Sequence, residues 1–462
     1  KKSILEEYEA AGREISLANS GALVAMDPNT GRVLGMVSLP DYNLSYFDGG
    51  TISLSDWNKV REGNDPLYNR AISTKDSPGS IFKMVTALAA LSEGKTTLDE
   101  RISDMGPFTL TDKSRSAKCW TSYPEQHANQ TVIEGLKNSC NYYFYTLGVR
   151  LGSTNIYKWA AALGLTSRTN VELPGETTSF VGNQDMLYDP SNAIENQYTY
   201  KPLIAANAIR AEIQKIGEDL GIEYDDERVD EVVKKLLDLS VSYNTSDEWQ
   251  RPIREILLYD LNLPESYIVA HYLGNTMTAF IKEIQWTDNE TIMLAIGQSI
   301  TQISPIAAAR YVSAIANGGT VYDAQIVDKI IAPDGTVVLD KEPVIANQIS
   351  TDAAYFQAIR TGMEEVTSGE DGGTAGDYFE GIDYIAGKTG TSQRTELDVE
   401  NNAWMVAYAP KENPQIVVVA YIQNGYSGAY ASGAIKTTIK YYLESLGYVE
   451  NTQVTSGYSM AD

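Results

Sequence analysis

Gly21-Ala22-Leu23-Val24-Ala25-Met26, then Asp27-Pro28-Asn29-Thr30-Gly31, then Arg32-Val33-Leu34-Gly35-Met36-Val37-Ser38 make two apolar runs joined by a turn-rich connection, the pattern of a β-hairpin. Near the other end Trp404 to Tyr408 and Ile416 to Ile422 flank Ala409-Pro410-Lys411-Glu412-Asn413-Pro414 in the same way. Two hairpins so far apart predict one antiparallel sheet assembled from both ends of the chain. Between them the clearest helix is Ile81 to Leu91, apolar nearly all round and so expected to be buried. Sheet strands at both ends with helices between describe an α+β layered domain.

The 462 residues carry 61 Asp and Glu against 36 Lys and Arg, a net charge of −25. That balance excludes nucleic acid as a partner, because neutralising phosphates takes clustered Lys and Arg. It also disfavours an anionic membrane surface. With 43% hydrophobic and 21% charged residues the chain reads as globular, neither disordered nor a membrane bundle. No apolar run approaches the roughly 20 residues of a membrane-spanning helix. The expected organisation is a lead-in segment over 1–19, a first catalytic part over 20–190, an acidic helical insertion over 191–285, a second catalytic part over 286–448 and a polar tail over 449–462. The insertion is marked by Glu218-Asp219, Asp225-Asp226-Glu227 and the helix-periodic run Val229 to Leu239.

Ser77-Pro78-Gly79-Ser80-Ile81-Phe82-Lys83 opens the apolar helix. Ser80 and Lys83 lie three apart, on one helical face, with Ser80 at the end where backbone N–H groups are free to stabilise negative charge. Lys83 stands among Ile81, Phe82, Met84, Val85 and Leu88, where desolvation lowers an ammonium's pKa toward that of a usable base. A serine beside such a lysine is a nucleophile activated without histidine, although a capping serine followed by a snorkelling lysine has the same spacing. Two further stretches carry suitable groups. In Lys388-Thr389-Gly390-Thr391 the lysine and threonines offer a cation and hydroxyls to a carboxylate, and Gly390 is expected to let a bound extended peptide approach closely. In Ser139-Cys140-Asn141, Ser139 is a proton relay and Asn141 an amide holder, or the three form an ordinary helix–helix turn.

Taken in the order Ser-x-x-Lys, Ser-x-Asn, Lys-Thr-Gly, these stretches resemble the motif set of the penicillin-recognising serine acyltransferases. Gly21 to Tyr42, Pro66 to Ala71, Leu173-Pro174-Gly175-Glu176, Ile296-Gly297-Gln298-Ser299 and Trp404 to Pro410 are similar to further stretches of penicillin-binding proteins. The resemblance is to the class B members, with a lean toward the elongation-type branch. It implies a serine D,D-transpeptidase in which Ser80 attacks the stem peptide of peptidoglycan, or of its lipid-linked precursor, between the terminal D-alanines. Lys83 would take the serine proton, and the Ser80 and Thr391 N–H groups would form the oxyanion hole. Ser139 would protonate the leaving D-alanine, Asn141 would bind the donor peptide, and Lys388, Thr389 and Thr391 would hold its carboxylate. β-Lactam antibiotics would acylate the same serine. It further implies an extracytoplasmic place beside the bacterial membrane, an N-terminal anchor outside this chain, and a cell-wall synthesis complex with a glycosyltransferase. The hydrolytic alternative is a D,D-carboxypeptidase or β-lactamase; the non-enzymatic one is a β-lactam- or stem-peptide-binding scaffold. Two departures stand out: a long stretch separates Glu176 from Ile296 where the family has a short connection, and Ser299 follows Gln298 where a glycine is common.

The chemistry needs no cofactor. Only two cysteines and two histidines occur, however, and Cys119, His127 and Cys140 all fall between the first two motifs. With Asp104 they make a ligand set suited to a structural Zn²⁺. Some elongation-type members resemble this in having a zinc site next to the active site, with an acid where Cys119 stands. A Cys119–Cys140 disulfide or two free thiols are the alternatives. His271 is expected to be a packing or surface histidine.

Overall fold

The computed structural model describes residues 18–110, 116–242, 246–368, 373–393 and 400–449. Most of the expected lead-in, residues 1–17, and the tail from residue 450 lie outside them. The chain forms two compact units, the first made of residues 1–181 and 292–462, the second of Gly182–Thr291.

The first unit is built on a five-stranded antiparallel sheet of β1 (Ser20–Met26), β2 (Val33–Leu39), β3 (Ala386–Ser392), β4 (Asn402–Ala409) and β5 (Ile416–Gln423), in the order β2-β1-β5-β4-β3. Because β1 pairs with β5, with Val24 opposite Val419, the two terminal hairpins do share one sheet. Of helices α1 (Lys83–Ser92), α2 (Val132–Lys137), α3 (Asn141–Ala162), α4 (Pro305–Asn317), α5 (Ala353–Thr367) and α6 (Ser432–Ser445), the last three pack on the sheet, α1 and α2 pack on α5, and α3 packs on α1. β4 is buried at every position. Its Met405, Ala407 and Ala409 share a core cluster with Ile435, Ile439 and Leu443 of α6, while α4 packs on β1, β4 and β5. This is the α+β fold expected. α1 has no polar side, since Lys83 to Leu91 are all buried. Each large apolar side chain so placed contributes about 1.5–3 kcal/mol, which offsets the cost of holding a lysine among them.

The second unit is helical and regular. Its helix Asp226–Ser242 buries Val229, Val232, Val233, Leu236, Leu237 and Ser240, the one-face spacing of an amphipathic helix. That face meets Ile209, Ile213 and Ile216 of helix Lys201–Leu220 and Met277 and Ile281 of helix Leu273–Lys282 around the buried Trp249. The unit is wider at both ends than the 191–285 expected from charge and period. Gln184 explains the difference: its side chain donates to the Ile284 carbonyl (3.0 Å) and accepts from the Trp286 N–H (2.7 Å), clasping the incoming and outgoing strands. Tyr188 belongs to the same core and donates to Asp238 (2.6 Å). Neither residue changes the local charge, so neither marks the boundary in sequence. His271 stacks on Tyr267 at the surface. Among the described residues no helix is long and apolar enough to cross a membrane.

Candidate active site

Ser80 lies in a 3₁₀ turn, Gly79–Phe82, that runs into α1. Gly79 makes the turn possible. Its φ is +56°, a left-handed conformation glycine adopts without penalty, and a Cβ there would stand 2.4 Å from the Thr391 carbonyl oxygen. The Gly79 N–H donates to the Gly297 carbonyl (2.9 Å), so the Ser77–Phe82 segment sits between β3 and the Ile296–Ser299 stretch. Ser299 has φ +62°, so the serine adopts the left-handed backbone for which a glycine is usual.

Ser139 is placed by the end of α2. Its N–H donates to Leu136 O (3.1 Å) and the Cys140 N–H to Gly135 O (3.0 Å), a Schellman ending in which Ser139 occupies the left-handed position at φ +49°. Glycine normally stands there; a serine costs about 1–2 kcal/mol. That strain aims its hydroxyl at two lysines. Cys140 then caps α3, accepting from the Tyr143 N–H at 3.4 Å, and Asn141 is the first residue of α3.

Both lysines are fully buried. Lys83 Nζ donates to the Ser139 carbonyl (2.7 Å) and to Asn141 Oδ1 (2.6 Å) and lies 3.2 Å from Ser139 Oγ. Lys388 Nζ lies 3.0 Å from the same Oγ and 3.1 Å from the Thr389 carbonyl. Burial lowers Lys83 to about 8, and burial together with the Lys83 charge pushes Lys388 well below the usual lysine range. A hydroxyl has one proton to give, so Ser139 can accept from one ammonium while donating to the other nitrogen only if that one is a free amine. The site thus holds two buried lysines on one hydroxyl, an arrangement that disfavours two protonated amines.

β3 is the edge of the sheet, paired only with β4. Beside it is a cleft of about 340 Å³ lined by Ser80, Ser139, Asn141, Thr389 and Thr391. All three predicted motifs therefore meet. A Cβ on Gly390 would meet Pro78 O at 2.8 Å and Ile81 at 3.0 Å, so the chain's own Ser77–Phe82 segment packs closely on it.

Sequence reasoning missed four contributors. Trp120, 59% exposed, lines the cleft and donates its indole N–H to the Asn138 and Ser139 carbonyls (both 3.1 Å). Gln298 donates to Thr391 O (3.3 Å), and Thr374 pairs with the Thr389 hydroxyl (2.8 Å). Asp76 ties the Ser77–Phe82 segment to the sheet by accepting from the Ser77 N–H (2.7 Å), the Tyr421 hydroxyl (2.8 Å) and Asn402. Trp120, an aromatic next to Cys119, Asp76, an acid four residues before Ser80, and Gln298, inside the Ile296–Ser299 stretch, had a local signal, and Thr374 had none.

Asp104, Cys119, His127 and Cys140 also come together, their ligand atoms all within 4.8 Å of one another. The cysteines are free, with Sγ atoms 4.0 Å apart; Cys119 Sγ is 3.4 Å from His127 Nδ1, which is 4.0 Å from Asp104 Oδ2. Tetrahedral zinc with these donors has ligand–ligand edges of about 3.4–3.8 Å. Asp104 Oδ2 is buried with no hydrogen-bond partner, and burial raises its carboxyl. Contact with Cys140 lowers the Cys119 thiol, and the same contact and burial raise that of Cys140. An orphaned buried oxygen among two thiols and an imidazole fits a metal.

The sequence profile described as "Penicillin binding protein transpeptidase domain" matches residues 21–216 and 271–443. The chain belongs to this family. The unmatched stretch falls within the helical unit, while every motif residue of the cleft lies in matched sequence. The chain is 23% identical to the Peptidoglycan D,D-transpeptidase MrdA of Acinetobacter baumannii over 95% of its own length and 52% of that protein's. Thus it spans about half the length of that curated relative. Its fold is that of PBP2 of Pseudomonas aeruginosa in complex with WCK 5153 (TM-score 0.63, 24% identity, all of this chain and 80% of the other). It matches PBP2 of Helicobacter pylori in its complex with MreC similarly (TM-score 0.62, 21% identity, 97% and 63%).

Proposed function

We propose that this chain is the catalytic part of a class B, elongation-type serine D,D-transpeptidase of peptidoglycan synthesis. The observation that carries the reading is the convergence of Lys83 and Lys388 on Ser139 Oγ beside Ser80 and the open edge of β3. In the resting site Lys83 is held as a cation by its acceptors on Ser139 and Asn141. Once it has lost its proton it takes that of Ser80. Ser80 Oγ then bonds to the carbonyl carbon of the penultimate D-alanine, and the Ser80 and Thr391 N–H groups receive the oxyanion. The C–N bond breaks as Ser139 passes a proton to the departing D-alanine and takes in its place the one Lys83 removed from Ser80, across 3.2 Å. An amine of a second stem peptide attacks the acyl-enzyme, restores Ser80 and closes the cross-link. Lys388, Thr389 and Thr391 bind the donor's carboxylate, and Asn141 its backbone. A β-lactam enters the same cleft and acylates Ser80.

Such a substrate places the enzyme on the extracytoplasmic face of the cytoplasmic membrane, in a complex with the glycosyltransferase that makes the strands it joins. A fluorescent penicillin labels the protein, and the label persists, because a transpeptidase deacylates slowly in water. Rapid hydrolytic turnover would assign it instead to the carboxypeptidases or β-lactamases, and no label at all would leave a binding scaffold.

The same reading gives Asp104, Cys119, His127 and Cys140 a structural Zn²⁺. With four protein ligands it has no open position and takes no chemical step; the residues hold the Ser139–Asn141 turn in its strained form. Inductively coupled plasma measurement on protein purified without chelator is expected to find about one zinc per chain. A chain free of zinc would remove the metal from the account.

A further inference from the structure

The two oxyanion donors come from separate pieces of chain. Ser80 offers its N–H from the 3₁₀ turn Gly79–Phe82. Thr391 stands on β3 and turns its carbonyl toward Gly79 and Gln298. On a strand the N–H and C=O of one residue point to the same side, so the Thr391 N–H faces that way as well. An oxyanion hole works only if both donors lie about 2.7–3.1 Å from the oxygen, which requires the spacing of the two segments to be fixed.

Asp76 is placed to fix it. Its Oδ1 accepts from the Ser77 N–H (2.7 Å) and lies 3.5 Å from the hydroxyl of Ser392, the residue after Thr391. Its Oδ2 accepts from Asn402 and from the Tyr421 hydroxyl (2.8 Å). One carboxylate thus joins the Ser77–Phe82 segment to β3, β4 and β5. The backbone of Asp76 is held at the same time, its N–H donating to Ile303 O (3.1 Å) and its carbonyl accepting from the Ile303 N–H (2.8 Å). Ser77 is clamped beside it: its carbonyl receives the Trp404 indole N–H (3.0 Å), and its hydroxyl donates to Thr301 O (3.1 Å). We propose that Asp76 is a positioning residue, whose carboxylate sets the spacing between the Ser80 and Thr391 N–H groups. The assignment rests on the transpeptidase reading of the cleft.

The chemistry of the carboxylate explains why an acid stands here. Ser77, Asn402 and Tyr421 all donate to it, and an ionised carboxylate is an acceptor at both oxygens. An asparagine has the same shape but a single acceptor oxygen, and its NH₂ would meet at least one of those donors. The Ser77–Phe82 segment then shifts relative to β3. A shift of about 1 Å at catalytic groups costs about 100-fold in rate. The loss falls on the tetrahedral state, since Lys388, Thr389 and Thr391 grip the donor carboxylate from within β3.

Three measurements on the whole chain test this: the rate constant of penicillin acylation, the dissociation constant of the complex before the bond forms, and the affinity of a boronic acid that makes a tetrahedral adduct on Ser80. In Asp76→Asn the rate constant and the boronic acid affinity are both expected to fall about 100-fold, while the pre-covalent dissociation constant stays within about twofold. Tyr421→Phe keeps the ring against Trp404 and removes one donor, so it is expected to show the same split at about tenfold. Pre-covalent binding lost in step with the rate would mark a general loosening of the cleft and overturn the proposal. Acylation unchanged in either variant, or slowed without a matching loss of boronic acid affinity, would overturn it too. If Asp76→Asn does not fold, Tyr421→Phe decides by the same criteria. Should the unaltered protein take neither penicillin nor the boronic acid on Ser80, the transpeptidase reading fails and the assignment of Asp76 falls with it.

Discussion

In the helical unit Gly182–Thr291 no Lys, Arg, Asp or Glu among the described residues is buried, whereas the first unit buries Lys83 and Lys388 completely beside a serine at φ +49°. The helical unit departs from local rules only in its backbone, with Asn262 and Tyr272 left-handed and a π-helical turn at Ile256–Asp260. Its helices are amphipathic, and Gly221 at φ +66° ends one of them. Its ion pairs, such as Lys234–Asp238, sit at the surface. Around one cleft the first unit gathers several departures: two desolvated cations, a serine where glycine belongs, and Gly79, whose missing Cβ is replaced by another strand's carbonyl. Departures from local consistency gather where a structure must hold reactive groups ready, and the lack of buried charge among the described residues of the helical unit argues that it carries none of the chemistry.

Three substitutions test this contrast. Lys83→Ala is expected to slow acylation by penicillin about 10²- to 10⁴-fold, without a comparable loss of folding. The rate of the unaltered protein carries the matching pH signature. Burial holds Lys83 at about 8, below an ordinary lysine, so the free amine accumulates above that value. Acylation therefore rises with pH through about 8 and then levels off; a profile flat from pH 6 to 10 would show that another group is the base. Trp249→Ala, in the helical core, is expected to cost about 3–5 kcal/mol of that unit's stability in denaturant melts. Acylation per folded molecule stays unchanged, and a parallel loss of acylation would show that the units are not independent in function. Lys234→Ala removes an exposed pair with Asp238 and changes stability by at most about 0.5 kcal/mol.

What could be read in the sequence follows the same division. The terminal hairpins were legible from alternation around turn residues, and α1 from its apolar run. Lys83 stood out because nothing else in that run is charged. Ser139 and Lys388 gained meaning only together with it. Contacts made across the fold left no local mark: Asp76 reaching Asn402 and Tyr421, Gln184 clasping the helical unit, and Gly390 packing on Pro78 all join residues 100 or more positions apart, and none changes composition or period where it sits. The metal cluster was readable because its residue types are so scarce here, although its mutual distances were not.

The central claim is that Ser80, in the cleft beside the edge of β3 where two buried lysines converge on Ser139, is the nucleophile. Incubating the protein with penicillin, digesting it and reading the modified peptide by mass tests this directly. The adduct is expected on Ser80 and is lost in Ser80→Ala; an adduct on another residue, or the same labelling in Ser80→Ala, would contradict it.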